Sequence, residues 1–509
     1  MEAIQHLASG FAVALQPLNV ILAFVGVLVG TTVGMLPGIG PINAIAVLIP
    51  IAFALRLPPE SALIMLAGIY YGSQYGNSIS TILLNVPGTA SAVATALDGY
   101  AMTQSGRAAS ALAVSAIASF VGGTLSIFGL VLFAPLLAKW AIRFGPAEYF
   151  ALMVFAFAAL AGLAGANRAK ALVATSLGLL LATVGFDPNS GLARFTFGEM
   201  KLLDGMDFVV VTIGLFAVSE VFRVLEGGEA GRLAAAAIGS VMARVREAVA
   251  AAWTMVRGSV VGFLVGVLPG AGGTVASFMA YATEQRLVDR RGTFGSGDMR
   301  GVAAPEAANN AAATGAMIPL LTLGIPGSGT TAVLLGALLG MNVTPGPLLL
   351  EQRPEVFWGL AASMYLGNAM LLVLNLPLVG VFVRVLELPR WALFPGVAAL
   401  SFVAVYAVNQ SVLDLWLVTA FGVVGYLMRR AGFPLAPLIL GLVLGPLMEK
   451  NVRRALALSG GDWGVLFSSP LAIALWILAA ATAVLPWLVS RRGAGRGALS
   501  LLRAEGGSQ

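Results

Sequence analysis

The chain has 509 residues, 59% of them hydrophobic and 10% charged, with a net charge of +6. Soluble domains carry about 25% charged residues, so this composition excludes a water-soluble globular chain and reads as a polytopic membrane protein. There is no cysteine and one histidine, His6. Disulfides, thiolate-held clusters, histidine metal sites and histidine general-base catalysis are therefore set aside.

Residues 3–55, 61–97, 108–138, 258–283 and 307–350 contain no Asp, Glu, Lys or Arg, and roughly 20 apolar residues suffice to cross a bilayer. The apolar pattern is helical or continuous and never strictly alternating, which favours an all-α membrane protein over a barrel. The N-terminal MEAIQHLASG lacks a basic n-region, so no cleaved signal peptide is expected. Spans are expected near 11–34, 42–55, 61–85, 92–104, 110–137, 148–166, 171–186 and 207–224, which form a first half at 1–221. A polar connector follows at 222–257, with Arg223, Arg232, Arg244 and Arg246 among Glu226, Glu229 and Glu247; its tail, 236–256, reads as an amphipathic interfacial helix. The second half, 258–447, offers segments near 258–282, 303–325, 330–341, 356–384, 391–408, 412–428 and 434–447. A basic loop, a last helix near 469–490 and a tail complete 448–509. Several pieces are too short to cross alone, and about 12 membrane segments are expected. The basic ends RRAG (429–432), KNVRR (450–454) and SRRGAGR (490–496) read as cytoplasmic anchors.

The two halves repeat each other. GVLVGTTVGMLPGIGP (26–41) aligns with GSVVGFLVGVLPGAGG (258–273), placing Gly26, Gly30, Gly34, Pro37, Gly38 and Gly40 on Gly258, Gly262, Gly266, Pro269, Gly270 and Gly272 at an offset of 232. YGNSISTILLNVPGTAS (75–91) aligns with TGAMIPLLTLGIPGSGT (314–330), placing Gly76, Pro87 and Gly88 on Gly315, Pro326 and Gly327 at an offset of 239. A lone Pro-Gly is usually a kink, and glycines four apart usually pack helices. Matched breaks in two halves instead point to a transporter binding site made of discontinuous helices. The expected architecture is a pair of inverted repeats, each with a hairpin-like LPG segment and a helix interrupted at its PGT or PGS motif.

Such breaks expose backbone groups toward a cavity. Helix N-termini then face an anion, while carbonyls and hydroxyls face a hard cation. Beside Pro37, Gly38, Gly40, Pro87, Gly88, Gly270, Gly272, Pro326 and Gly327, the candidate cargo-binding residues are Asn43, Asn77, Ser78, Thr89, Ser91, Asn309, Asn310, Ser328, Thr330 and Thr331. Asn43, Asn85, Thr89, Ser328 and Thr330 are the candidate sodium ligands. Asn85, Asp98 and Glu306 are the candidate coupling groups, because carboxylates within spans are functional suspects. The bland alternative pairs Asp98 with Arg107, Glu306 with Arg300 and Glu220 with Arg223. Gly38, Gly88, Gly270 and Gly327 are expected to resist alanine because a Cβ blocks positive φ and the close approach of cargo.

At these motifs the sequence resembles the large membrane subunit of tripartite tricarboxylate transporters, the TctA-like family. The resembling stretches are GTTVGMLPGIGP (30–41), YYGSQYGNSISTILLNVPGTASAVATALDGYAM (70–102), FTFG (195–198), GLFAVSE (214–220), APEAANNAAATGAMIPLLTLGIPGSGTTAVLLGAL (304–338) and GFPLAPLILGLVLGP (432–446). The resemblance implies a subunit of the bacterial inner membrane that works with a small membrane subunit and a periplasmic solute-binding protein. It implies uptake of small tri- or dicarboxylates, citrate-like ones included, by symport with sodium or protons and without a further cofactor. The absence of GxxxxGK[ST] fits transport without P-loop ATP hydrolysis. A channel and a lipid-modifying membrane enzyme are the alternatives; the enzyme lacks the paired acids or nucleophile-base pair its chemistry needs.

Overall fold

The computed structural model describes residues 2–36, 40–163, 168–187, 190–226, 240–385, 399, 401–403, 405–407 and 409–482. Helices dominate, as expected of an all-α membrane protein. The first half comprises α1 (Glu2–Ala14), α2 (Pro17–Gly34), α3 (Pro41–Ala54), α4 (Pro59–Leu84), α5 (Val93–Gln104), α6 (Ala108–Ala141), α7 (Pro146–Leu163) and α8 (Arg168–Leu181). A two-residue antiparallel pair, β1 (Gly185–Phe186) with β2 (Ala193–Arg194), precedes α9 (Phe208–Thr212), a π-helical turn at Ile213–Val218, and α10 (Ser219–Glu226). The second half runs through α11 (Val245–Ala248), α12 (Ala252–Val267), α13 (Gly272–Val288), α14 (Met299–Gly315), α15 (Met317–Leu323), α16 (Gly329–Gly340), α17 (Leu349–Gln352), α18 (Pro354–Asn375) and α19 (Val379–Val385). It closes with α20 (Val412–Arg430), α21 (Ala436–Leu458) and α22 (Pro470–Thr482).

The three described Pro-Gly motifs, at Pro87, Pro269 and Pro326, separate helices. Prolines start α2, α3 and α4 at their first turns, where the missing N–H is harmless. A left-handed residue stops the helix before each later break: Asn85 at φ 55° after α4 and Gly324 at φ 70° after α15. Several expected spans divide. Pro17 separates α1 from α2 within 11–34, and residues 376–378 separate α18 from α19 within 356–384. The basic run MEKNVRR (448–454), read as a loop, continues α21 as helix to Leu458. Of the expected amphipathic tail 236–256, residues from 240 onward form short 3₁₀ and α turns leading into α12. The expected span 391–408 lies largely outside the described residues.

Five described stretches are long and apolar enough to cross a membrane: Pro17–Gly34, Ala108–Ala141, Met242–Val267, Pro354–Asn375 and Val412–Arg430. Their outward faces carry large apolar side chains such as Phe128, Leu132, Phe133 and Leu136 on α6. α4 and α14 are different. Almost every residue from Ser61 to Leu83 and from Gly301 to Gly315 is buried, polar ones included.

Glycine stripes bring these two central helices into close contact with their neighbours. A Cβ on Gly26, Gly30 or Gly34 of α2 would stand 2.4 Å from the carbonyl oxygens of Met65, Ile69 and Ser73 on α4. A Cβ on Gly258, Gly262 or Gly266 of α12 would stand 2.6, 2.2 and 2.5 Å from those of Ala304, Ala308 and Ala312 on α14. These stripes are small-residue packing faces. Contact for contact they match at the two sequence offsets. The match extends to Gly88, which lies against Gly34 and Asn77, and Gly327, which lies against Gly266 and Ala316.

Candidate functional site

The four breaks open on one cavity of about 490 Å³. The starts of α3, of the 3₁₀ turn Ala90–Ala92 that feeds α5, of α13 and of α16 all reach its wall, through Gly40, Thr89, Gly273 and Ser328. Each helix start presents free N–H groups and partial positive charge. The wall is paired across the repeat. Tyr70 and Asn309, Gln74 and Ala313, Thr89 and Ser328, and Ser91 and Thr330 all line it, each pair related by the offset of 239, while Ile42 and Thr274 are related by 232. Repeat-related positions on one wall place the cavity between the halves.

Of the sequence-derived residues, Gly40, Asn43, Gly88, Thr89, Ser91, Asn309, Ser328 and Thr330 line this cavity. Behind them, Asn77 Nδ2 donates to Thr89 Oγ1 at 2.8 Å, and Asn310 Nδ2 donates to the Glu306 carbonyl at 3.1 Å. Thr331 closes a capping box, its Oγ1 accepting from Ser328 N at 2.8 Å. Gly270 N donates to the Gly327 carbonyl at 3.0 Å, tying an LPG break to a PGS break. Gly272, Pro87 and Pro326 belong to the break backbones and do not line the cavity. Asn85 is exposed and serves as the left-handed cap of α4, away from the wall. Pro37 and Gly38 lie outside the described residues.

The backbone corrects one expectation about glycine. Gly270 does adopt positive φ, at 84°, but Gly88 and Gly327 do not. What a side chain meets at Gly88 is the Gly34 carbonyl at 2.4 Å, and at Gly327 the Ala316 Cβ at 2.9 Å. Their requirement for glycine is close packing.

The carboxylates divide into two kinds. Asp98, fully buried, accepts N–H groups from Gly295, Gly297 and Asp298 at 2.8–2.9 Å and the Tyr281 hydroxyl at 2.9 Å. That is an anion in a backbone nest, fastening α5 to the insert before α14. Arg107 donates to the Gly297 carbonyl at 2.5 Å, supporting the same turn rather than pairing directly with Asp98. Glu306, also fully buried, accepts hydroxyls from Ser78 at 2.6 Å, Thr95 at 2.5 Å and Ser119 at 3.2 Å. No Lys or Arg among the described residues pairs with it; Arg300 holds Asp298 instead, at 2.6 Å. Ser78 ties Glu306 to α4, one turn from the cavity-lining Gln74.

Sequence reasoning missed Arg429. Read as an interfacial anchor, it lines the cavity with Phe216 of the π-helical turn. Its Nη1 donates to Glu220 at 2.9 Å, and Glu220 also receives Arg223 at 2.5 Å. The GLFAVSE motif carries both Phe216 and Glu220, but only the folded chain places α20 against it.

The chain matches the tripartite tricarboxylate transporter TctA family over residues 20–440. It is 43% identical over 492 residues to the 52.8 kDa protein in the TAR-I ttuC' 3'region of Agrobacterium vitis, covering 97% of this chain and 98% of that one. It is also 43% identical over 234 residues to a protein in the TAR-II ttuC' 3'region of the same organism, covering 45% of this chain and 97% of that one. No solved structure matches. A polytopic helical membrane protein with paired helix breaks around a central cavity is a transporter component, and this chain belongs to the tripartite tricarboxylate transporter TctA family.

Proposed function

We propose that this chain forms the transport pathway of its tripartite system, carrying small tri- or dicarboxylates inward through the central cavity by symport with a cation. The observation that carries the reading is the convergence of four helix starts on a single cavity between repeat-related walls. Helix N-termini favour anions, and a cavity of about 490 Å³ suits a small ligand. Of the candidate sodium ligands, Asn43, Thr89, Ser328 and Thr330 line that cavity, so a cation held by them would offset the charge of a carboxylate bound there. Glu306, buried with hydroxyl partners alone, is the stronger proton carrier of the two acids. The repeats are inverted about an axis in the membrane plane and contribute about 12 segments in the inner membrane. A small membrane subunit and a periplasmic solute-binding protein complete the system and deliver the cargo.

The test is uptake of labelled citrate and succinate by proteoliposomes holding the whole system. An inward sodium or proton gradient should accelerate uptake, and Thr330→Ala should weaken the cation dependence while assembly persists. Uptake indifferent to both gradients and dependent on ATP would refute the reading.

A further inference from the structure

Arg429 is a charged group on the cavity wall whose hydrogen-bonding is incomplete. Its Nη1 is engaged by Glu220 at 2.9 Å, and its guanidinium carbon lies 5.9 Å from the centre of the Phe216 ring. Its Nε is buried with no acceptor, and Nη2 has none among the described residues. Nε and Nη2 form the edge of a guanidinium that grips a carboxylate with two parallel bonds. Two other arginines of this chain use that edge in this way. Arg257 places Nε and Nη2 on Glu284 at 2.8 and 2.5 Å, and Arg300 places them on Asp298 at 3.0 and 2.6 Å.

The local charge is also unbalanced. Glu220, with a side chain only 3% exposed, is shared by two guanidiniums, so the cluster Arg223–Glu220–Arg429 keeps one net positive charge. Arg223 is half exposed and does not line the cavity, whereas Arg429 does. Two further cavity-lining residues, Gln74 and Asn309, are at least nine-tenths buried and hold a side-chain atom with no partner, Gln74 Oε1 and Asn309 Nδ2. Buried polar atoms left unpaired are costly and mark where a ligand completes the bonding.

Resting on the proposed function, we infer that Arg429 is the fixed positive charge that receives a carboxylate group of the cargo, with Glu220 holding it in place and Asn309 donating beside it. The Nε–Nη2 edge, which Glu220 leaves without a carboxylate, is the one the cargo would take. Phe216, in the π-helical turn at Ile213–Val218, and Glu220, four residues on in α10, both contact the same guanidinium. Such turns recur at functional sites.

The test measures thermal stabilisation of the purified full-length chain by citrate and by succinate at constant ionic strength, in Arg429→Gln, Arg429→Lys, Arg223→Gln and Ser328→Ala. Arg429→Gln and Arg223→Gln each remove one guanidinium from Glu220, so they share the structural cost. Arg429→Gln should weaken both carboxylates about 30-fold or more, the penalty for losing one partner of a desolvated charge pair. Arg429→Lys should fall between it and the parent, and Arg223→Gln should lose several-fold less. Equal losses in Arg429→Gln and Arg223→Gln would make the cluster structural and overturn the assignment. Parent-like affinity in Arg429→Gln beside a loss in Ser328→Ala would overturn it while leaving the cavity as the cargo site. Carboxylate affinity unchanged in all four would remove the cavity and this inference together.

Discussion

Two buried acids of the same expected class have opposite surroundings, and that difference separates their roles. Asp98 is held by donors that only an ionised carboxylate satisfies fully, and an amide at that position would turn N–H groups toward N–H groups. Asp98→Asn should therefore cost roughly 1.5–3 kcal/mol, seen as a lower melting temperature and faster hydrogen exchange at Gly295 and Gly297. Glu306 is held by hydroxyls, which can donate or accept, so its site tolerates either protonation state. Glu306→Gln should assemble normally but lose the proton-driven component of uptake, a coupling on the order of 5- to 150-fold. Proton dependence that survives both substitutions together would remove both acids as carriers. The sequence marks these residues because carboxylates in apolar surroundings stand out. It does not reveal their partners: Arg300 lies six positions from Glu306 on the same helix, yet the cap residue Asp298, two positions away, takes it first.

At the scale of elements, the breaks were legible and their packing was not. Proline and glycine act on the backbone locally, so LPG, PGT and PGS report where helices stop wherever the chain folds. The reason Gly88 and Gly327 must be glycine is tertiary, lying in Gly34 on α2 and Ala316 beside α15. Alanine at Gly88 forces a carbonyl to move, and overpacking of this kind costs about 1–3 kcal/mol. Gly88→Ala should therefore lower the melting temperature of the purified chain as well as its uptake. Gly327→Ala should cost less, because its nearest contact is a methyl at 2.9 Å rather than a carbonyl at 2.4 Å. Full stability in Gly88→Ala would show that this backbone approach does not constrain the fold. The π-helical turn left no trace in the apolar pattern, since IGLFAV reads equally well as ordinary α-helix. Arg429 was hidden for a related reason: a basic pair ending an apolar span has the sequence signature of an interfacial anchor, and only the packing of α20 on the π turn reveals otherwise.

At the scale of the whole molecule, the repeat seen in the sequence reappears as matched contacts, and the cavity lies where the halves meet. If the proposed transport moves the two halves relative to each other, a bond across the site should stop it. Ser91, from the first half, and Gly273, from the second, face each other there. A Cβ on Gly273 would stand 3.4 Å from that of Ser91, close to the Cβ–Cβ spacing of about 3.5–4.5 Å that a disulfide requires. The native chain has no cysteine, so Ser91→Cys with Gly273→Cys yields the one bridge and no competing pairing. Asn309 Oδ1, 2.5 Å from the new Cβ, must rotate aside, which the reduced double variant controls for. That variant should transport carboxylate at a measurable rate. Oxidation should arrest it, and reduction should restore it to the reduced rate. Band shifts of a protease-cleaved connector would report the extent of bridging independently of uptake. A fully bridged protein that transports at the reduced rate would show that the halves keep their spacing at Ser91 and Gly273 throughout the cycle, and that the moving boundary lies elsewhere.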